Sequence, residues 1–147
     1  MRRIAKIVCV LAMSAGSVLP YARAEDNPVI EYRQRVMRTL QEQSAALGQI
    51  LSTVIPDDNM PAHLEAIALT ASVALNAFKP KVEGGESLPD VWNQWDDFSK
   101  RMNEFARKAA EVAKAAKTGT ASKEELMTGM TDALNCKSCH DVYRLPE

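Results

Sequence analysis

Four stretches of the chain set apolar or small side chains at alternating steps of three and four, and none keeps the two-residue alternation that a half-buried strand needs. The sequence therefore predicts an all-α domain. In the first stretch Met37, Leu40, Ser44, Leu47, Leu51 and Val54 share one face of a helix that starts near Pro28, with Asn27 as cap, and stops before Pro56. Pro61 lies in the first turn of a second helix, which turns Leu64, Ile67, Ala71, Ala74, Leu75 and Phe78 inward and ends by Pro80. Lys81 to Pro89, with Gly84-Gly85, is the one long loop. A third helix from about Pro89 to Lys117 repeats Trp95, Phe98, Met102, Phe105, Ala109, Val112 and Ala116. Ser122 and Glu125 form a capping box that opens a fourth, with Leu126, Met130, Ala133 and His140 on its inner side. Mostly short connections favour antiparallel neighbours, so the expected architecture is an up-down-up-down four-helix bundle.

The N-terminus predicts export. Arg2, Arg3 and Lys6 make a positive start, Ile7 to Met13 an apolar stretch, and Ala22-Arg23-Ala24 a small-x-small cleavage site. Residues 1–24 are thus expected to be a cleaved secretory signal peptide and 25–147 the mature domain. A retained membrane helix needs about 20 apolar residues, and Ser14, Gly16, Ser17 and Pro20 interrupt this run. Cleavage removes four basic residues and no acidic one, leaving 14 basic against 19 acidic and a formal charge of −5. Such a surface is poorly suited to phosphate backbones, so nucleic acid is not an expected partner. No stable membrane span is expected after cleavage.

Removal of Cys9 leaves Cys136 and Cys139, within Cys136-Lys137-Ser138-Cys139-His140. This C-x-x-C-H lies on a helix, where Cys136 comes one turn before Cys139 and His140. Two thiols so spaced can reach the two vinyl groups of a haem edge while the adjacent imidazole comes under the iron. A structural disulfide, a thioredoxin-like dithiol and half of a zinc site are the alternatives. Zinc wants four ligands and His63 is the other histidine; a thioredoxin motif wants a preceding strand. The expected cofactor is therefore one covalently attached haem c with its iron, enclosed by the bundle.

In an up-down-up-down bundle the start of the first helix and the end of the fourth share one end of the molecule. At about 1.5 Å rise per residue, Met37 and His140 fall at similar heights, which makes Met37 the best-placed soft ligand opposite His140. The same position suits a plain core methionine. His63 and Met60 fall at the far end; Trp92, Trp95 and Phe78 fall at the haem end, as core, haem wall or both. Arg33, Arg35 and Arg38 surround Met37, and Arg144 follows His140 by one turn. They read either as a solvated face or as partners of haem carboxylates.

At these residues the chain resembles the class II c-type cytochromes, the cytochrome c prime family. The resemblance runs through Tyr32-Arg33-Gln34, Phe78 before a glycine-containing loop, Trp92 and Phe98 opening the third helix, and Cys136-Lys137-Ser138-Cys139-His140 followed by Tyr143-Arg144. It implies a four-helix bundle with covalent haem bound at Cys136 and Cys139, and His140 as proximal ligand. Met37 falls in the distal position, where low-spin relatives have a coordinating methionine and gas-binding relatives an apolar residue. Arg33 looks like the family's propionate partner and Arg144 like the basic residue beside the proximal histidine; Trp92 and Phe78 are expected against the haem. The expected function is that of a periplasmic single-electron carrier, not an enzyme, meeting redox donor and acceptor proteins as a monomer or homodimer. The alternative is a five-coordinate haem that binds nitric oxide or carbon monoxide, with Ala71 and Ala74 leaving distal room.

Overall fold

A computed structural model describes residues 27–52 and 55–146. The expected signal segment 1–24 and the inward position of Val54 lie outside the described residues. Among the described residues the chain is helical with no strand: α1 (Pro28–Leu51), α2 (Met60–Ala74), α3 (Asp90–Asn93), α4 (Trp95–Thr118), α5 (Lys123–Ala133) and α6 (Cys136–Tyr143). The pairs α3–α4 and α5–α6 are the third and fourth helices of a four-helix bundle, each interrupted once.

Local chemistry sets the boundaries. The Asn27 side chain accepts from Val29 N–H and Pro28 occupies the first turn of α1. Ser122 and Glu125 complete the predicted capping box of α5. Gly119, at φ 62°, ends α4 in the left-handed conformation. The expected third helix is broken at Gln94 (φ −119°, ψ 43°), and the fourth at Leu134 and Asn135, where no glycine or proline marks the change. The second helix tightens into a 3₁₀ turn over Leu75–Phe78.

The core runs along α1, α2, α4 and α5: α2 packs on both α1 and α4, and α5 on α4. Leu47, Leu64, Ile67 and Ala74 are almost completely buried. Residues on the predicted stripes supply most of it, and Ile30, Val36, Ile50, Ala77, Val91 and Ala113 add a second row that the three-four reading left out. Met60 and Leu64 gather with Leu47, Leu51, Leu126 and Met130 at the end away from α6, the level expected for Met60.

The loop after α2 is tied down at both sides. Leu88 N–H donates to Tyr143 O at 2.9 Å and Leu145 N–H to Glu86 O at 2.8 Å, joining the loop to the C-terminal segment. Gly85 sits at φ 62° against α1, where a Cβ would lie 2.8 Å from Ile30 Cγ2.

Ile67 is 0% exposed between α1 and α4. Ile67→Ala is expected to cost about 2–5 kcal/mol of folding stability, read as a lower urea midpoint with an unchanged slope.

Candidate haem site

A cleft of about 760 Å³ opens between α1, α4 and the α5–α6 arm. That volume lies in the range of sites that enclose a cofactor-sized ligand. Met37, Leu40 and Ser44 border it from α1, Phe98, Met102 and Phe105 from α4, and Cys136, Cys139, His140 and Tyr143 from α6. Met37 and His140 thus border one cleft from different helices. His140 is exposed, which corrects its expected place among inward-packed residues: it opens onto the cleft and not into the protein core.

Cys136 and Cys139 are not joined in a disulfide; Cys136 is exposed and Cys139 partly buried. Burial raises the Cys139 thiol above its ordinary range, and Arg101 pulls it partly back. Among the described residues no group of three or more His, Cys, Asp or Glu side chains is arranged to hold a metal ion. His63 is half-buried and hydrogen-bonds Gln43 Oε1 through Nδ1 at 2.8 Å, bridging α1 and α2 away from the cleft.

The cleft border carries Arg33, Arg38, Lys100, Arg101, Lys108 and Arg144 against Glu86, Asp97, Glu104 and Asp132. Basic groups outnumber acidic ones there, the reverse of the balance in residues 25–147. A flat apolar ring with two carboxylates fits both the size and the charge of this cleft, and two thiols one turn apart beside an imidazole fit its attachment.

Arg33 is 2% exposed. Its Nη1 donates to Val82 O at 3.2 Å and its Nη2 to Gly84 O at 2.8 Å. The guanidinium stands 5.4 Å from the Phe78 ring centroid and 5.2 Å from that of Trp92. Burial lowers its pKa. It borders the cleft, yet its terminal nitrogens anchor the loop after α2.

Trp92, expected against the cofactor, does not border the cleft. Its Nε1 donates to Phe78 O at 2.8 Å and its ring centroid lies 5.2 Å from the Arg33 guanidinium. Phe78 does border the cleft, 4.9 Å from Phe98 between ring centroids. Trp95 and Arg35 are also absent from the cleft border, Arg35 pairing with Glu31. Ala71 and Ala74, expected to leave distal room, are buried in the core instead. Arg144 borders the cleft and donates through Nε to Glu86 Oε2 at 2.8 Å.

Sequence reasoning missed Asp97 and Arg101, which look like an ordinary solvated i,i+4 pair. In the fold Tyr143 O–H donates to Asp97 Oδ2 at 2.6 Å, and Arg101 Nε donates to the same oxygen at 2.6 Å. These two bonds, that from Tyr143 first, hold the Asp97 carboxyl below its usual range. Burial, then the bond to Asp97, pushes the Tyr143 phenol up to about 12.

A family model described as Cytochrome C' matches residues 28–144. The chain belongs to the cytochrome c' family. A cytochrome c' of Alcaligenes xylosoxydans xylosoxydans is 26% identical over 126 residues, covering 84% of this chain and 97% of that one. Cytochrome c-554 of Cereibacter sphaeroides is 29% identical over 152 aligned positions, 98% of each chain. Among solved structures, the nitric oxide complex of a variant cytochrome c prime from Alcaligenes xylosoxidans superposes with a TM-score of 0.74 at 25% identity, covering 86% of this chain and 99% of that one. Cytochrome c' proteins bind covalently attached haem c with its iron, and that is the cofactor of this chain. They are haem proteins that carry electrons or bind gases.

Replacing Arg33 by Gln strips donors from Val82 O and Gly84 O and removes a cation from two aromatic faces. The variant is expected to lose about 1–3 kcal/mol and to exchange amide hydrogens faster across 79–89, read by mass spectrometry. The Tyr143 phenol, neutral to about 12 in the fold against 10.0 ordinarily, contributes stability that is complete below 10.0 and lost as pH rises toward 12. Alkaline unfolding curves of Tyr143→Phe should lack that loss.

Proposed function

We propose that the chain is an exported cytochrome c' family protein whose haem is tethered through Cys136 and Cys139, with His140 as proximal ligand and Met37 as distal ligand, and that it carries single electrons. What supports this reading is that Met37 on α1 and His140 on α6 border the same cleft. Covalent haem supplies an iron that changes oxidation state without substrate bonds being made or broken. Every other contribution is the protein's. Cys136 and Cys139, one turn apart, prevent loss of the cofactor and fix its edge against α6. His140 presents its imidazole from the next position. Met37, by offering a thioether from the opposite wall, would keep the same ligands in both oxidation states and so limit the reorganisation that slows electron transfer. Phe78, Phe98 and Phe105 exclude water from the apolar part of the cleft. Arg144 and Arg33 supply positive potential toward the carboxylate edge, Arg33 by its charge while its terminal nitrogens hold the loop.

The expected export segment and the −5 charge support a periplasmic protein that meets redox donors and acceptors there. Among the described residues no helix is long and apolar enough to cross a membrane.

A second reading has its own support, and the solved relative weighs on its side: a cytochrome c prime in complex with nitric oxide shares this fold. In that reading Met37 is a wall residue that does not ligate, and His140 alone holds the iron with the distal face open to nitric oxide or carbon monoxide. Spectra of the ferrous protein separate the two. The electron-carrier reading predicts a low-spin spectrum unchanged on brief exposure to carbon monoxide, and uptake of carbon monoxide by Met37→Ala. A high-spin wild-type spectrum that converts at once with carbon monoxide establishes the gas-binding reading instead.

A further inference from the structure

We infer that Asp97, together with Arg101 and Tyr143, is a positioning residue for the helix that carries Cys136, Cys139 and His140, holding that helix near both its ends and setting the charge on its side of the cleft. The inference rests on the proposed attachment of haem at those three residues.

The helix in question needs such support. α6 has eight residues, and Asn135 before it makes no side-chain cap. A helix of that length is not stable by itself in water, so its position is set by what it packs against. Asp97 and Arg101 stand one turn apart on α4 and meet at 2.6 Å. One link runs from this pair toward each end of α6. Near the C-terminal end, Tyr143 O–H donates to Asp97 Oδ2 at 2.6 Å. Near the N-terminal end, Arg101 Nη1 donates to Ser138 O at 3.4 Å, a long bond that makes the Tyr143 link the stronger of the two. His140 lies between the two attachment points in sequence.

The arrangement is packed on its protein side. Tyr143 is 4% exposed, its ring 5.1 Å edge-on from Phe98, with the Arg101 guanidinium 6.0 Å from its centroid. An i,i+4 ion pair on a half-exposed helix face contributes little alone. What distinguishes this pair is that it reaches a second helix at two points, with Asp97, Arg101, Ser138 and Tyr143 all bordering the cleft. The carboxylate held there favours the more positive, oxidised state of a neighbouring redox centre.

The test compares Asp97→Asn and Tyr143→Phe with wild type, each produced as the full chain in an exporting, haem-ligating bacterial host. Hydrogen exchange over 136–143 reports how firmly α6 is held, and the midpoint potential reports the charge. Both variants are expected to exchange several-fold faster over 136–143 than wild type, with α2 unchanged. Asp97→Asn is also expected to raise the reduction equilibrium roughly three- to tenfold, the upper figure corresponding to 59 mV for a one-electron couple, while Tyr143→Phe leaves the potential close to wild type. Unaltered exchange over 136–143 in both variants overturns the holding role. An unaltered potential in Asp97→Asn overturns the electrostatic role. Should Asp97→Asn not accumulate folded, Tyr143→Phe, which keeps its ring against Phe98, decides the holding role. Arg101→Gln then decides the electrostatic one, because loss of that cation should lower the potential and no change overturns it. A wild-type chain that carries no covalent haem defeats the proposed attachment, and the electrostatic role with it; the exchange comparison still decides whether α6 is held by Asp97.

Discussion

A helix places residues three apart on one face, and that rule governs what Cys136, Cys139 and His140 can do together. Held on one short helix, they present two thiols and an imidazole from consecutive turns toward a single side. Everything around them serves that side. The break at Leu134 and Asn135 separates α6 from α5, Cys136, Cys139 and His140 border the cleft from α6, and Met37 borders it from α1. The far end, where Leu47, Leu64 and Met130 gather, lets the helices close on one another.

The bundle was legible because its signal is collective. Stripes that repeat at three and four over twenty residues survive individual exceptions, and Asn27, Ser122 and Gly119 mark ends by local hydrogen bonding or backbone conformation that needs no tertiary context. The interruptions at Gln94 and at Leu134 and Asn135 carry no such mark. They accompany contacts between α3 and α6 and hydrogen bonds from the loop to the C-terminal segment, which join residues far apart in the chain.

The candidate site divides along the same line. Cys136, Cys139 and His140 stand together in sequence, and Met37 is reached by counting turns from a shared end. Arg33 and Trp92 are harder, since a basic residue and an aromatic one near a cofactor invite contact roles, whereas Arg33 here satisfies carbonyls of the loop, Trp92 one of the 3₁₀ turn before it, and they pack on each other. Asp97 was invisible for the opposite reason: its pairing with Arg101 explains it fully until Tyr143, 46 positions on, is seen donating to the same oxygen.

The central claim is a pair of covalent bonds from Cys136 and Cys139 to one haem. The most direct measurement is the intact mass of the denatured, mature protein from a host that exports and ligates haem. The account predicts the mass of residues 25–147 plus one haem, with that increment moving to the peptide that holds both cysteines after proteolysis. A mass equal to the amino acids alone, in a host that loads other c-type cytochromes normally, would contradict it.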